Sequence, residues 1–132
     1  MPVSLQHLED EGVLFNCSGV MTGSETIALN AELVTEITGG RAIRYQVVDL
    51  RKVEDFQLST AEMKMLARQD SNLIEQIPTL RIAIVVNDDL TFGMNRMYAT
   101  YLELSSEEEN CRIFTHMPEA LNWAQGKEGQ PD

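Results

Sequence analysis

The chain has only two cysteines, two histidines and no long apolar run, although 43% of its 132 residues are hydrophobic. Cys17 and Cys111 are far apart, and His7 and His116 are equally isolated, so the close spacing of a metal site is missing and we predict no metal. The cysteines are expected to be buried, reduced thiols. No segment approaches the roughly 18 apolar residues of a membrane span, and no secretion signal is recognisable. We therefore expect a cytoplasmic globular protein.

Positive charge is also scarce. The chain has 21 acidic and 10 basic residues, which gives a net charge of -11, and the first 40 residues contain no Lys or Arg. Because this charge repels polyanions, nucleic acid is not an expected ligand. Nine of the ten bases lie between Arg41 and Arg112, so any surface that binds an anion should come from this central part.

A catalytic constellation is not recognisable in the sequence. The serines have no assignable histidine partner, and no pair of acids can be placed in one cleft. The glycines of Gly39-Gly40 and Thr22-Gly23-Ser24 lack the lysine or the fingerprint of a nucleotide-binding loop. We therefore predict a protein that is not an enzyme and needs no cofactor.

The first half of the chain predicts a hairpin, a helix, a strand and a second helix. Alternating apolar residues on both sides of Asp10-Glu11-Gly12 are typical of a β-hairpin. Thr22 and Glu25 have the spacing of a capping box, which predicts a helix over about 22 to 38. A strand should end near Leu50, and a second capping box, Ser59 to Glu62, should open a helix that stops at Pro78.

Asp70 interrupts the apolar stripe of that second helix. Either the helix breaks and is capped again at residues 70–72, or one carboxylate faces the sheet. We favour the break, because burying an unpaired carboxylate costs several kcal/mol whereas a cap contributes about 1 kcal/mol.

The second half begins with a buried strand. Arg81 to Val86 is apolar without alternation, which indicates a parallel strand that is covered on both faces. Asp88 or Asp89 should cap a helix that extends to Leu102, and a last strand and helix should follow over 111–114 and about 118–124. We predict one α/β domain over residues 1–125, in the order ββαβαβαβα with a mixed, mostly parallel sheet, and a disordered tail over 126–132.

Three segments of this pattern resemble a known family. They are Val48-Asp49-Leu50, the run 81–85 followed by 92–97, and Ile113-Phe114 followed by 119–123. They resemble the STAS fold, and in particular the small bacterial proteins that are similar to anti-sigma-factor antagonists. The resemblance implies a regulatory protein-interaction module that binds an unknown protein. The related CRAL-TRIO lipid-binding fold implies the alternative, a carrier of a lipid or another small molecule.

The same resemblance implies a phosphorylation switch. In antagonists of this fold, a partner kinase phosphorylates a serine at the start of the helix that follows the aspartate-leucine strand end. Placing Asp49-Leu50 on that pattern puts Leu58 at the serine position and Ser59 one residue later, and the Asp-Ser-Ser-Gly run of the family is absent. Ser59 and Thr60 are therefore the candidate phosphoacceptors, and a plain helix cap is the alternative.

A second candidate site, for a small anionic ligand or a partner, lies where central strands should end. Open α/β sheets bind ligands at the carboxyl ends of their strands, and a glycine before an arginine suits an anion or a head group. Packing, capping and ion pairing are the alternatives. The candidate residues are Asp49, Arg51, Lys52, Asn87, Asp88, Gly93 and Arg96. The exposed edge of the hairpin further predicts a homodimer.

Overall fold

The computed structural model describes residues 3–87 and 110–127. The described residues form one five-stranded sheet in the order β1-β2-β3-β4-β5, antiparallel between β1 and β2 and parallel elsewhere. The strands are β1 (Val3–His7), β2 (Gly12–Thr22), β3 (Tyr45–Gln57), β4 (Arg81–Val85) and β5 (Cys111–Phe114). The helices are α1 (Gly23–Thr38), α2 (Thr60–Gln76) and α3 (Met117–Ala124). The predicted α/β class with an N-terminal hairpin is confirmed.

Several expectations concern other parts of the chain. The helix predicted after Asp88 or Asp89 and most of the predicted tail lie outside the described residues. Within the described ranges, no helix is long and apolar enough to cross a membrane. Strand β1 forms one edge of the sheet, and self-association through that edge stays a prediction.

The sheet carries an apolar cluster on each face. Helices α1 and α2 cover one face, where Leu33 and Leu73 are buried together with Ile82 of β4. Helix α3 covers the other face, where Trp123 packs with Ala83 and Val85 of β4. Strand β4 is therefore buried on both sides, as its uninterrupted apolar run predicts.

Strand β3 is longer than its apolar pattern predicts, because it continues from Leu50 to Gln57 beside β2. The pairing register shifts twice, and each shift gives β3 one extra residue. These bulges turn Leu50, Val53 and Phe56 toward the same cluster, although they are three residues apart. A spacing of three matches neither the period of a flat strand nor a full helical stripe, so the sequence does not reveal this extension.

The predicted break at Asp70 is wrong, since α2 is continuous from Thr60 to Gln76. Asp70 is half-buried, and its Oδ1 accepts a hydrogen bond of 3.1 Å from Nδ2 of Asn30 on α1. The same amide donates to Gln69 Oε1 at 2.9 Å. The carboxylate therefore has a partner between the helices, which removes most of the burial cost that favoured a break.

Candidate functional site

Helices α1 and α2 begin side by side at one edge of the domain. Strands β2 and β3 remain paired to their last residues, where Thr22 faces Gln57. Gly23, the first residue of α1, lies directly against the Glu62 carboxylate, and a Cβ at this position would overlap it. The start of α2 is therefore built against the start of α1, and a side chain at Gly23 would displace the Glu62 carboxylate.

Ser59 forms the predicted capping box of α2. Its Oγ accepts a hydrogen bond from the Glu62 backbone N–H at 3.1 Å, and Glu62 Oε1 accepts from the Ser59 backbone N–H at 2.8 Å. The Thr22 box is only half formed, because Glu25 Oε1 accepts from the Thr22 hydroxyl instead of the Thr22 backbone. Ser59 and Thr60 are both exposed, so both hydroxyl groups are accessible from solvent.

Leu58, which stands at the serine position of the resembled family, faces the interior. It is half-buried and lines a cavity together with Phe56 and Met63. A serine here would place a hydroxyl against apolar side chains. The next residue, Ser59, carries the exposed hydroxyl in this chain.

Acidic side chains surround the start of α2. Glu54 and Asp55 are exposed on β3, and Glu25 and Glu62 lie in the first turns of the two adjacent helices. A phosphate on Ser59 would add about two negative charges to this region. The positive end of a helix attracts such a group, whereas the four carboxylates repel it.

Two large apolar side chains are exposed in the described part of the chain. Val20, near the end of β2, is 42% exposed, and Met65 of α2 is 49% exposed. Both belong to elements that flank Ser59. We call the exposed set of Val20, Ser24, Ser59, Thr60 and Met65 the α2-start surface.

The second candidate site has a different geometry from the one predicted. Asp49, Arg51 and Lys52 lie within β3 and not past its end, because the bulges let the strand continue. The Arg51 guanidinium donates to both carboxylate oxygens of Asp49, at 2.9 Å each. Asn87 Nδ2 donates to the Arg51 carbonyl at 2.7 Å, whereas Lys52 lies opposite Ser18 of the neighbouring strand β2. The structure thus joins three of the predicted residues.

The remaining predicted residues, Asp88, Gly93 and Arg96, lie outside the described ranges. In the part that is described, the guanidinium of Arg51 directs Nε and Nη2 to Asp49, so the Asp49 carboxylate already offsets its positive charge. Burial raises the pKa of the Asp49 carboxyl, but the hydrogen bonds and the charge of Arg51, together with the charge of Lys52, outweigh this effect, so the net pKa is lowered. Asp49 and Arg51 therefore form an ion pair within the chain.

This ion pair predicts a pH-dependent contribution to stability. A lowered folded-state pKa means that the contribution is complete above the ordinary pKa of the carboxyl and is lost as the pH falls through the folded-state value. Asp49→Asn should lower the free energy of unfolding at pH 7 by at most about 1 kcal/mol, because Arg51 is partly exposed. Urea denaturation from pH 7 to pH 2.5 should show the difference shrinking. The exposed Asp55→Asn is the control, and an Asp49→Asn cost that is constant with pH would contradict the assignment.

Other cations of the central segment bind the chain itself. Arg81 Nη1 donates to the Trp123 carbonyl at 2.6 Å, and Arg44 donates to the carbonyls of Asp10 and Gln125. These guanidinium groups secure the hairpin turn and the end of α3. The small anionic ligand stays a prediction that no described contact supports.

The two cysteine thiols are buried, and His7 contacts an acidic side chain. Cys17 and Cys111 are buried free thiols, as predicted. Burial, and then the negative charge of Asp49, raise the pKa of the Cys17 thiol to about 12, so a thiolate nucleophile is strongly disfavoured. His7 Nε2 lies 3.0 Å from Glu36 Oε2. Across residues 3–87 and 110–127, no group of three or more His, Cys, Asp and Glu side chains is arranged to hold a metal ion.

Comparison with solved structures identifies proteins that share the fold of this chain. No protein-family model and no curated protein sequence matches the chain. The solved structure of the anti-sigma factor antagonist SpoIIAA in its unphosphorylated form matches 94% of this chain and 96% of its own, with a TM-score of 0.62 and 12% identity. The Bacillus cell fate determinant SpoIIAA in the phosphorylated form matches 92% of this chain and 97% of its own, with a TM-score of 0.60 and 13% identity. The chain therefore has the fold of an anti-sigma-factor antagonist, which confirms the STAS-like architecture.

Proposed function

We propose that this protein is a regulatory interaction module that binds a partner protein through the α2-start surface and releases it when Ser59 is phosphorylated. The observation that carries the proposal is the exposed Ser59 hydroxyl at the start of α2, within the fold of an antagonist whose structure is solved in phosphorylated and unphosphorylated forms. The exposed Met65 side chain on the same helix supplies apolar area for a partner.

The proposed switch acts through Glu62. In the unmodified protein, its carboxylate holds the Ser59 backbone N–H and packs against Gly23. A phosphate on Ser59 would compete for the same N–H groups and repel that carboxylate at close range. Glu62 would then leave its place between the two helix starts, so that both the charge and the shape of the α2-start surface would change.

The proposed activity is binding and not catalysis. Asp49 is held by Arg51, the Cys17 thiol is protonated, and Glu62 is committed to a helix cap. A regulatory role therefore uses the described groups as they are, whereas a reaction would require an acid, base or nucleophile in a different state.

Capture from extracts of the native cell tests this proposal. Wild type and Ser59→Ala should retain the same protein, because neither carries the added charge. Ser59→Asp should retain at least about tenfold less, which corresponds to about 1.4 kcal/mol of binding free energy. Ser4→Asp, an equal charge change at an exposed position of β1, is the matched control and should bind like the wild type.

Two further measurements complete the test. Ser59→Ala should cost about 1 kcal/mol of stability through loss of the cap, so urea denaturation must show that every variant is folded. Peptide mass spectrometry of the protein from its native cell should locate phosphate on Ser59, and Thr60→Ala should leave that modification in place. Equal capture by Ser59→Asp and wild type would contradict the proposed switch and would leave Ser59 with only the role of a helix cap.

A further inference from the structure

The layer between the sheet and the helices α1 and α2 contains a cavity of about 110 Å³. Its wall is mostly apolar and includes Phe56, Leu58, Met63 and Ile84. This volume is far below the several hundred Å³ that a drug-sized ligand or a lipid requires. An engineered cavity of about 150 Å³ binds benzene, so the space suits a molecule of about five or six heavy atoms.

One polar group in the wall of this cavity lacks a partner. The Gln46 side chain is only 3% exposed, and its Oε1 has no hydrogen-bond partner among the described residues. Buried acceptors are nearly always satisfied, because leaving one unpaired costs free energy. The other polar groups named in the wall have partners within the protein, since Thr26 donates to the Thr22 carbonyl and Asn30 donates to Gln69 and to the Asp70 carboxylate, which also lines the cavity.

From these two observations we infer that the cavity is a binding site for a small neutral molecule with an apolar body and one hydroxyl donor, of the class of short-chain alcohols. The hydroxyl group would donate to Gln46 Oε1, and the carbon chain would lie against the apolar wall. An anion would be repelled by the Asp70 carboxylate in the wall, and Gln46 offers no counter-charge to a charged molecule. This inference does not depend on phosphorylation of Ser59.

Titration with 1-butanol, followed by NMR of methionine methyl groups, tests the inference. Met63 lines the cavity, whereas Met65, two residues later, is exposed on the outside of the same helix. The Met63 resonance should therefore shift on titration, and the Met65 resonance should not. Methyl propyl ether is an isomer of 1-butanol that lacks the donor, and we expect it to bind about fivefold more weakly.

Two variants make the outcome decisive. Gln46→Leu removes the acceptor at similar volume and should abolish the preference for the alcohol over the ether. Leu58→Phe adds bulk to the wall and should weaken the binding of both molecules. The inference is overturned if wild type binds the two isomers equally, or if neither isomer shifts Met63, in which case the cavity holds only water. Neither outcome bears on partner capture by the α2-start surface.

Discussion

Replacing Trp123 by alanine is expected to lower the free energy of unfolding by about 3–5 kcal/mol, the range for large aromatic residues in cores. Trp123 is 4% exposed and lies in the cluster between α3 and the sheet. Its ring centroid is 5.7 Å from that of Phe114, and the guanidinium carbons of Arg81 and Arg112 each lie 5.1 Å from it. The substitution removes the packed area, leaves a void and breaks both cation–π contacts.

Urea denaturation followed by circular dichroism measures this loss. Trp123→Phe is the matched variant, and it should cost clearly less because an aromatic face remains close to both arginines. Since α3 packs on the face of the sheet opposite to α1 and α2, folded Trp123→Ala protein at low temperature should still capture the partner. A cost below about 1 kcal/mol would contradict the packing of α3 described above.

Replacing Gly12 by alanine is expected to destabilise the domain by about 3 kcal/mol, at the upper end of the usual range for overpacking. A Cβ at this position would overlap the ring of Tyr45, which is fully buried. The Tyr45 hydroxyl donates to Asp10 Oδ1 at 2.6 Å, and Gln125 Nε2 donates to that hydroxyl at 3.2 Å. Displacing the ring would break this connection between the hairpin turn, β3 and the end of α3.

A double-mutant cycle separates this steric effect from a backbone effect. In a Tyr45→Leu background the ring is absent, so the additional cost of Gly12→Ala should fall below about 1 kcal/mol. Thermal and urea denaturation of the four proteins supply the cycle. If Gly12→Ala costs the same in both backgrounds, the conformation of the turn, and not the contact with Tyr45, requires the glycine.

Much of the fold can be predicted from local patterns. The hairpin, the buried strand Arg81–Val85 and the capping box at Ser59 depend on residues that are neighbours in the sequence. The α/β class follows from the order of these elements. Such features can be predicted from sequence because hydrophobic periodicity and helix capping involve residues only a few positions apart.

The features that were missed depend on contacts between distant residues. Asp70 stays inside α2 because Asn30, 40 positions earlier, donates to it. The bulges of β3 become visible only in its pairing with β2, and they place Asp49 and Arg51 within a strand. The contact between Gly23 and Glu62 has no local signal beyond the capping-box spacing. Long-range pairings of this kind decide which side chains form a site.

The unpartnered acceptor in the cavity illustrates the same limit. In the sequence, Gln46 is a polar residue in an alternating strand and would be placed on a solvated face. In the structure, α1 and α2 cover that face, and Gln46 is buried there with an oxygen that has no hydrogen-bond partner among the described residues. Burial on both faces of β3 turns an ordinary strand residue into a candidate ligand contact.

The affinity of the captured partner for protein phosphorylated at Ser59 alone tests the central claim most directly. Isothermal titration calorimetry should compare this species with unmodified protein at the same ionic strength, because a charge effect of this kind depends on salt. The account predicts that the phosphate on Ser59 weakens binding by at least about tenfold, with both species folded. Equal affinity, or tighter binding of the phosphorylated protein, would contradict the proposal that this surface releases its partner on phosphorylation.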